Sequence, residues 1–397
     1  MDISMYFEPV NLAEVGFDRD NDKLRYGDLI NIYSQTGEEH FPDLSDIELV
    51  IIGVKEDRGA PDNKGCAEAP DLVRRYLYRL MPGNKKIKIA DLGNIINGFE
   101  INDTYFALRT VLCELIRKGI IPIIIGGSQD LTLPNYQAYE SLSKIVNIVQ
   151  VDSLFDLGDA DIKSEKPVDS HSYISRIITL KPNFLFTFTN IGYQTYFVSQ
   201  NEMDLMKSLY FDIYRLGLVR SDLKETEPII RNADILSFDL SSIRQSDAPG
   251  NANATPNGFL GEEACQLVRY AGLSDKLSSI GFYEINPGFD NNYQTVHLTA
   301  QMIWYFIDGF CNRQNELPYR NKENFIKLVV TIQDNTHDII FYKSKKTEKW
   351  WMEIPCPNEL KEKFEQHYLL PCSVKDYQDA CNDDIPDRWW QAYQKMM

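Results

Sequence analysis

Leu49-Val-Ile-Ile-Gly-Val54, a loop rich in glycine, proline and aspartate, and then Ala69-Pro-Asp-Leu-Val-Arg-Arg-Tyr-Leu-Tyr-Arg-Leu80 form the stretch from which the fold of this 397-residue chain is read. The first run is short and wholly apolar, as in a strand buried on both faces. The second spaces its apolar residues by three and four, as in a helix with one buried face. The resulting strand-loop-helix unit recurs. A helical pattern from about Asp103 to Lys118 leads into Ile120-Ile-Pro-Ile-Ile-Ile125 and the turn Gly126-Gly127. Val146-Asn-Ile-Val-Gln-Val-Asp152, Phe184-Leu-Phe-Thr-Phe188, Ile235-Leu-Ser-Phe-Asp239 and Leu277-Ser-Ser-Ile-Gly-Phe-Tyr-Glu284 continue it, and a helix from about Thr295 to Phe310 closes it. The alternation predicts an α/β domain over residues 49–312, with a mainly parallel sheet covered on both faces and ligands at the carboxyl ends of its strands.

Outside that span the pattern changes. Residues 1–48 are polar with few apolar runs and are expected to wrap the body as an arm, and Asn315 to Asn324 reads as a polar linker. Residues 325–397 predict a small α+β extension. Lys327–Ile332, Asp338–Lys343 and Lys349–Ile354 suit a three-strand meander turning at Asp334-Asn335 and Lys345-Lys346, and residues 358–397 suit short helices.

The chain carries 41 Lys and Arg against 58 Asp and Glu, a net charge of −17. The segment from Arg313 holds 13 basic and 14 acidic residues, so the acidity belongs to the preceding body. Such a balance opposes docking on nucleic acid or on an anionic membrane. The amino terminus shows no basic, apolar leader, and no apolar run reaches the length of a membrane span, so a soluble cytoplasmic protein is expected. Seven cysteines without a Cys-x-x-Cys spacing suit free thiols rather than disulfides or a zinc ribbon.

Acidic residues end several of the apolar runs. A single carboxylate there serves as a helix cap, but Asp152, Asp156 and Asp239 on neighbouring strand ends repel one another unless a cation or protons neutralise them. A hard, oxygen-ligated ion is the natural partner for such a set. Ser128 and Ser153 show no accompanying His and Asp, and Gly126-Gly127 lacks the rest of a phosphate-binding loop, so a serine triad and a nucleotide site are both unsupported.

Gly126-Gly-Ser-Gln-Asp130, Asp152-Ser-Leu-Phe-Asp156, Ser237-Phe-Asp-Leu-Ser241 and Tyr283-Glu-Ile-Asn-Pro287 resemble, in order and spacing, the motifs of the ureohydrolases: arginase, agmatinase and formimidoylglutamase. Asn63 to Arg74 is similar to the family's early glycine-rich loop, and Thr189-Asn-Ile-Gly-Tyr-Gln194 inclines the comparison toward formimidoylglutamases. The resemblance covers residues 49–312. It implies a three-layer α/β fold and two manganese ions that activate water for attack on a guanidinium or formimino carbon. The family's ligand motifs, Gly-Gly-x-His, Asp-x-His-x-Asp and Asp-x-Asp, are only half present. Asp152, Asp156 and Asp239 remain, while the positions of two histidines and one aspartate hold Gln129, Leu154 and Ser241. Leucine has no lone pair and a serine hydroxyl is a poor ligand beside a carboxylate. The resemblance therefore implies either no cofactor or one divalent cation, magnesium or manganese, at Asp152, Asp156, Asp239 and Gln129.

The same resemblance places Glu284 where the family holds a cationic head group, so Glu284 either keeps a pocket for an amine or guanidinium ligand or pairs a nearby basic side chain. His171 lies near the position of a proton-shuttling histidine and otherwise reads as a loop residue. Trp350-Trp351 and Trp389-Trp390 either fill the extension, with one of each pair buried, or anchor a protein partner. Three functions follow as expectations: an arginase-fold pseudoenzyme acting as a binding or scaffold protein, a one-ion C–N amidine hydrolase of formimidoylglutamase type, or a structural subunit docking through its extension. The sequence leaves the oligomeric state open.

Overall fold

The computed structural model describes residues 2–19, 24–35, 40–158, 167–332, 337–357, 364 and 366–396. Strands are numbered along the chain: β1 (Phe7–Glu8), β2 (Asn31–Ile32), β3 (Leu49–Val54), β4 (Ile89–Ile95), β5 (Ile121–Ile125), β6 (Val146–Val151), β7 (Leu185–Tyr193), β8 (Asp212–Arg215), β9 (Ile235–Asp239) and β10 (Ser279–Tyr283). They form one sheet in the order β1-β4-β3-β5-β10-β9-β6-β7-β8, with β2 also pairing β4. Every pairing is parallel except β1 with β4. The expected mainly parallel sheet is present, and the amino-terminal 48 residues contribute two short strands to its edge.

Strand side chains alternate between two cores. Leu49 and Ile51 join the helices Ala69–Leu77, Gly261–Leu273 and Gln294–Cys311 on one face. Val50, Ile52 and Val54 join Ile101–Arg117, Thr132–Ser141 and Tyr173–Thr179 on the other. Period-two alternation with apolar residues at both phases is what a sheet covered on both sides requires.

Strand β4 is absent from the sequence pattern because Asp91, Gly93 and Asn94 interrupt its apolar run. Its polar groups are answered from the next layer. The fully buried Arg74 donates from Nε and Nη2 to the two oxygens of Asp91, both at 2.9 Å, from Nη1 to Asn94 at 2.6 Å and from Nη2 to the Gly93 carbonyl at 2.7 Å. Tyr78 adds a bond to Asp91 at 2.8 Å. A bidentate guanidinium-carboxylate pair thus pins the helix Ala69–Leu77 to the sheet.

The carboxy-terminal residues build a separate antiparallel sheet of four strands, β11 (Phe325–Ile332), β12 (His337–Ser344), β13 (Trp350–Glu353) and β14 (Leu369–Cys372), in that order. The fourth strand, unread in the sequence, is only four residues long and contains Pro371, which an edge strand tolerates. Helices Val374–Cys381 and Asp387–Met396 pack beside it. The turn expected at Asp334-Asn335 lies outside the described residues. Trp351 and Trp389 are buried, Trp350 stacks on Tyr377 at 4.9 Å, and Trp390 is 47 % exposed.

This extension covers the amino ends of the body's strands. Arg231, just before β9, lies 4.3 Å over the Trp351 ring and donates to the carbonyls of Trp350 (3.2 Å) and Cys372 (3.3 Å). Lys395 donates to Thr187 on β7, and His367 packs against Phe186 at 4.6 Å.

The buried Arg74 network generates the first prediction. Arg74→Met leaves Asp91 buried without its counter-charge and lowers stability by about 3–5 kcal/mol, read as a fall in the urea midpoint. Lys88→Ala, which removes an exposed pair with Asp46, changes stability by less than about 1 kcal/mol.

Candidate functional site at the strand ends

Four strands that are distant in the chain, β5, β10, β9 and β6, are adjacent in the sheet. Their carboxyl ends therefore bring together the motifs that the sequence separates. Gln129 follows β5, Glu284 follows β10, Asp239 ends β9, and Asp152 and Asp156 follow β6. The turn after β5 needs glycine: a Cβ on Gly127 would lie 1.8 Å from the Glu56 carbonyl oxygen, to which the amide of Ser128 donates at 3.0 Å.

All four carboxylates are buried, between 1 % and 8 % exposed. Asp152 accepts the Leu154 amide at 3.0 Å, and Asp239 accepts the Ser241 amide at 2.6 Å. Leu154 and Ser241 thus serve the cluster through their backbone N–H groups. Glu284 accepts from Asn63 Nδ2 at 2.8 Å and from the Gln129 amide at 2.9 Å. Neutral N–H donors thus hold both oxygens of Glu284, and among the described residues no basic side chain is bonded to it. Its backbone is left-handed, with φ of 65°, a conformation costing a non-glycine residue about 1–2 kcal/mol. Asn63 and Asn251 fix it by donating to its carbonyl at 3.1 and 2.7 Å.

One side chain that sequence reasoning missed sits at the centre. Gln150, on β6, donates from Nε2 to Asp152 Oδ2 at 2.8 Å and to Asp156 Oδ2 at 2.5 Å, one amide serving both carboxylates. The available signal is a polar residue inside the apolar run Val146–Val151. Gln129 is also oriented by a neighbour, donating from Nε2 to Ser237 Oγ at 3.3 Å, while its buried Oε1 has no hydrogen-bond partner. His171 reaches the rim: Nε2 lies 3.1 Å from Asp62 and Nδ1 lies 4.0 Å from Asp156, and the ring is partly open to solvent.

The oxygen donors available to a cation here are the carboxylates of Asp152, Asp156 and Asp239 and the Gln129 amide oxygen. Among the described residues no group of three His, Cys, Asp or Glu side chains is arranged to hold a metal ion. Burial dominates the protonation of the cluster. It raises Asp152, and it raises Asp156 and Asp239 well above the usual carboxylate range, with mutual repulsion adding to the latter two. Burial also pushes Glu284 up to about 7 and Asp130, which accepts from Tyr105, up to about 6.

Comparison with known proteins agrees with this geometry. The profile of the arginase family matches residues 47–308. A formimidoylglutamase of Staphylococcus aureus is 24 % identical over 289 residues, covering 67 % of this chain and 90 % of the relative. A Trypanosoma cruzi formiminoglutamase solved with Mn2+ superposes with a TM-score of 0.64 at 22 % identity, covering 73 % of this chain and 99 % of that one. A Bacillus subtilis formimidoylglutamase superposes with a TM-score of 0.64 at 19 % identity, covering 76 % and 99 %. The roughly 90 residues after the matched span include the extension.

Raised carboxyl pKa values set the sign of a pH dependence. Between about pH 4.5 and pH 7 the folded chain binds more protons at these groups than the unfolded chain, so their contribution to stability falls as pH rises. The melting temperature is expected to be higher at pH 5.5 than at pH 7.5. Glu284→Gln and Asp130→Asn each remove part of that fall against the opposite slope of the buried His367, and variants whose pH dependence matches the parent's contradict the assignment.

Proposed function

The chain belongs to the arginase family, and from that premise we propose that it is a catalytically silent member acting through binding, its carboxylate cluster closed by its own amides. The observation that carries this reading is Gln150. Its two N–H bonds lie along Asp152 and Asp156, the carboxylates that the family pattern gives to metal. The remaining donor set does not suit a pair of manganese ions. Leu154 offers no lone pair, Ser241 turns its amide rather than a carboxylate to the cluster, and both imidazole positions are filled by other residues. Without a metal pair, the chain lacks the usual means of forming hydroxide at neutral pH. What survives is a set of buried acceptors, with Glu284 suited to an amine or guanidinium ligand.

A second reading has its own support. The buried Gln129 Oε1 has no hydrogen-bond partner and keeps its lone pairs for a cation. With Asp152, Asp156 and Asp239 it supplies four oxygens to one magnesium or manganese ion, and the relatives' names suggest a formimidoyl substrate for such a hydrolase.

Metal analysis separates the two. After incubation with Mn2+ or Mg2+ and desalting, the first reading expects less than stoichiometric metal, an unchanged melting temperature and no formamide from N-formimino-L-glutamate. One retained ion, a raised melting temperature and metal-dependent formamide release that Asp239→Ala abolishes would establish the second. Stability gives an independent check. Asp239→Asn keeps the bond from Ser241 and removes a repelling charge, so it raises the melting temperature on the first reading and lowers metal-bound stability on the second.

A further inference from the structure

At the opposite end of the strands, where the extension meets the body, lies a cavity of about 490 Å3. Tyr139, Lys144, Phe184 and Lys276 line it from the body, and Tyr319, Arg320 and His367 line it from the segments that follow. This volume is within the range of small-molecule sites.

The charges in its wall are unevenly matched. Lys276 is answered by Asp234 at 3.3 Å, and Asp275 accepts the amides of Asn315 at 3.1 Å and Glu316 at 2.8 Å. Lys144 acts on Asp234 only from beyond ion-pair distance, and Arg320 lies 5.8 Å over the Tyr319 ring with no carboxylate at ion-pair distance among the described residues. An ammonium and a planar guanidinium lining one cavity are donors that hold a carboxylate or phosphate group.

His367 closes the inner wall. It is 4 % exposed, its Nε2 donates to the Ile145 carbonyl at 3.3 Å, and burial with the neighbouring Lys276 keeps the ring neutral, so it adds no charge of its own to the cavity. Phe184 and Tyr319 add apolar surface suited to the body of an organic ligand.

We propose that this seam cavity binds a small organic oxyanion of about the size of a nucleoside monophosphate. Lys144 and Arg320 hold its acid group, and Phe184 and Tyr319 pack against its organic body. Because the walls come from both parts of the chain, the ligand also fastens the extension to the body. The site is separate from the strand-end carboxylates and stands whichever reading of those carboxylates holds.

Full-length protein titrated with adenosine 5′-monophosphate, citrate and inorganic phosphate tests it, by calorimetry and by melting temperature. An organic anion is expected to bind one to one with Kd below about 1 mM and to raise the melting temperature, with inorganic phosphate binding more weakly. The double variant Lys144→Ala, Arg320→Ala, altered at two exposed side chains, should fold normally and weaken binding about tenfold or more. Lys85→Ala, in a separate basic crevice beside Cys311, should leave Kd unchanged. Bound ligand should also slow proteolytic cleavage of residues 315–324, the connection to the extension. Failure of both organic anions to bind overturns the proposal. So does binding that survives the double substitution, or that falls equally in Lys85→Ala.

Discussion

Buried like charges are the constraint around which the body of this protein is arranged. Adjacent parallel strands lie about 4.8 Å apart, so carboxylates at the ends of β10, β9 and β6 come within a few ångströms of one another. Two unit charges 4 Å apart repel by about 4 kcal/mol at an effective dielectric of 20. Something must answer them: a cation, protons or hydrogen-bond donors. This chain supplies donors from its own residues, the side-chain amides of Gln150 and Asn63 and the backbone N–H groups of Leu154, Ser241 and Gln129. Amide dipoles stabilise a carboxylate without cancelling its charge, and the excess appears as raised affinity for protons.

That constraint was partly legible in the sequence. β3, β5, β9 and β10 are short apolar runs bounded by turn residues, the usual form of a strand buried on both faces. The carboxylates were legible because each follows such a run. β4 was not, because its Asp91 and Asn94 are made acceptable by Arg74, a contact between residues 17 and 20 positions apart. Gln150 was hidden for a different reason. Its partners are only two and six residues away, but nothing in the sequence says that the loop after β6 folds back to bring Asp156 beside Asp152.

The extension shows a different limit. Its first three strands follow from alternation, but its docking depends on side chains whose partners lie far away in sequence. Arg231, the last residue of the short helix Thr226–Arg231, stacks on Trp351 and donates to two carbonyls of the second sheet. The tryptophans divide accordingly. Trp351 belongs to the joint, Trp389 is buried and donates to the Glu353 carbonyl at 3.0 Å, and Trp390 keeps an open face. By covering the amino ends of the strands, the extension leaves the carboxyl ends, where the family motifs converge, outside its contacts with the body.

The position of Gln150 bears on metal affinity as directly as the missing ligands do. Any ion that enters between Asp152 and Asp156 must first displace an amide that is carried by the strand leading into them, β6, and is therefore always present. Two hydrogen bonds to charged acceptors are lost in that exchange, each worth about 1.5–3 kcal/mol. The total, about 3–6 kcal/mol, corresponds to a weakening of the ion's dissociation constant by roughly two to four orders of magnitude. Leu154 removes a ligand, which lowers affinity once. Gln150 installs a competitor, which lowers it again, while the repulsion that the amide leaves uncancelled is met by protons.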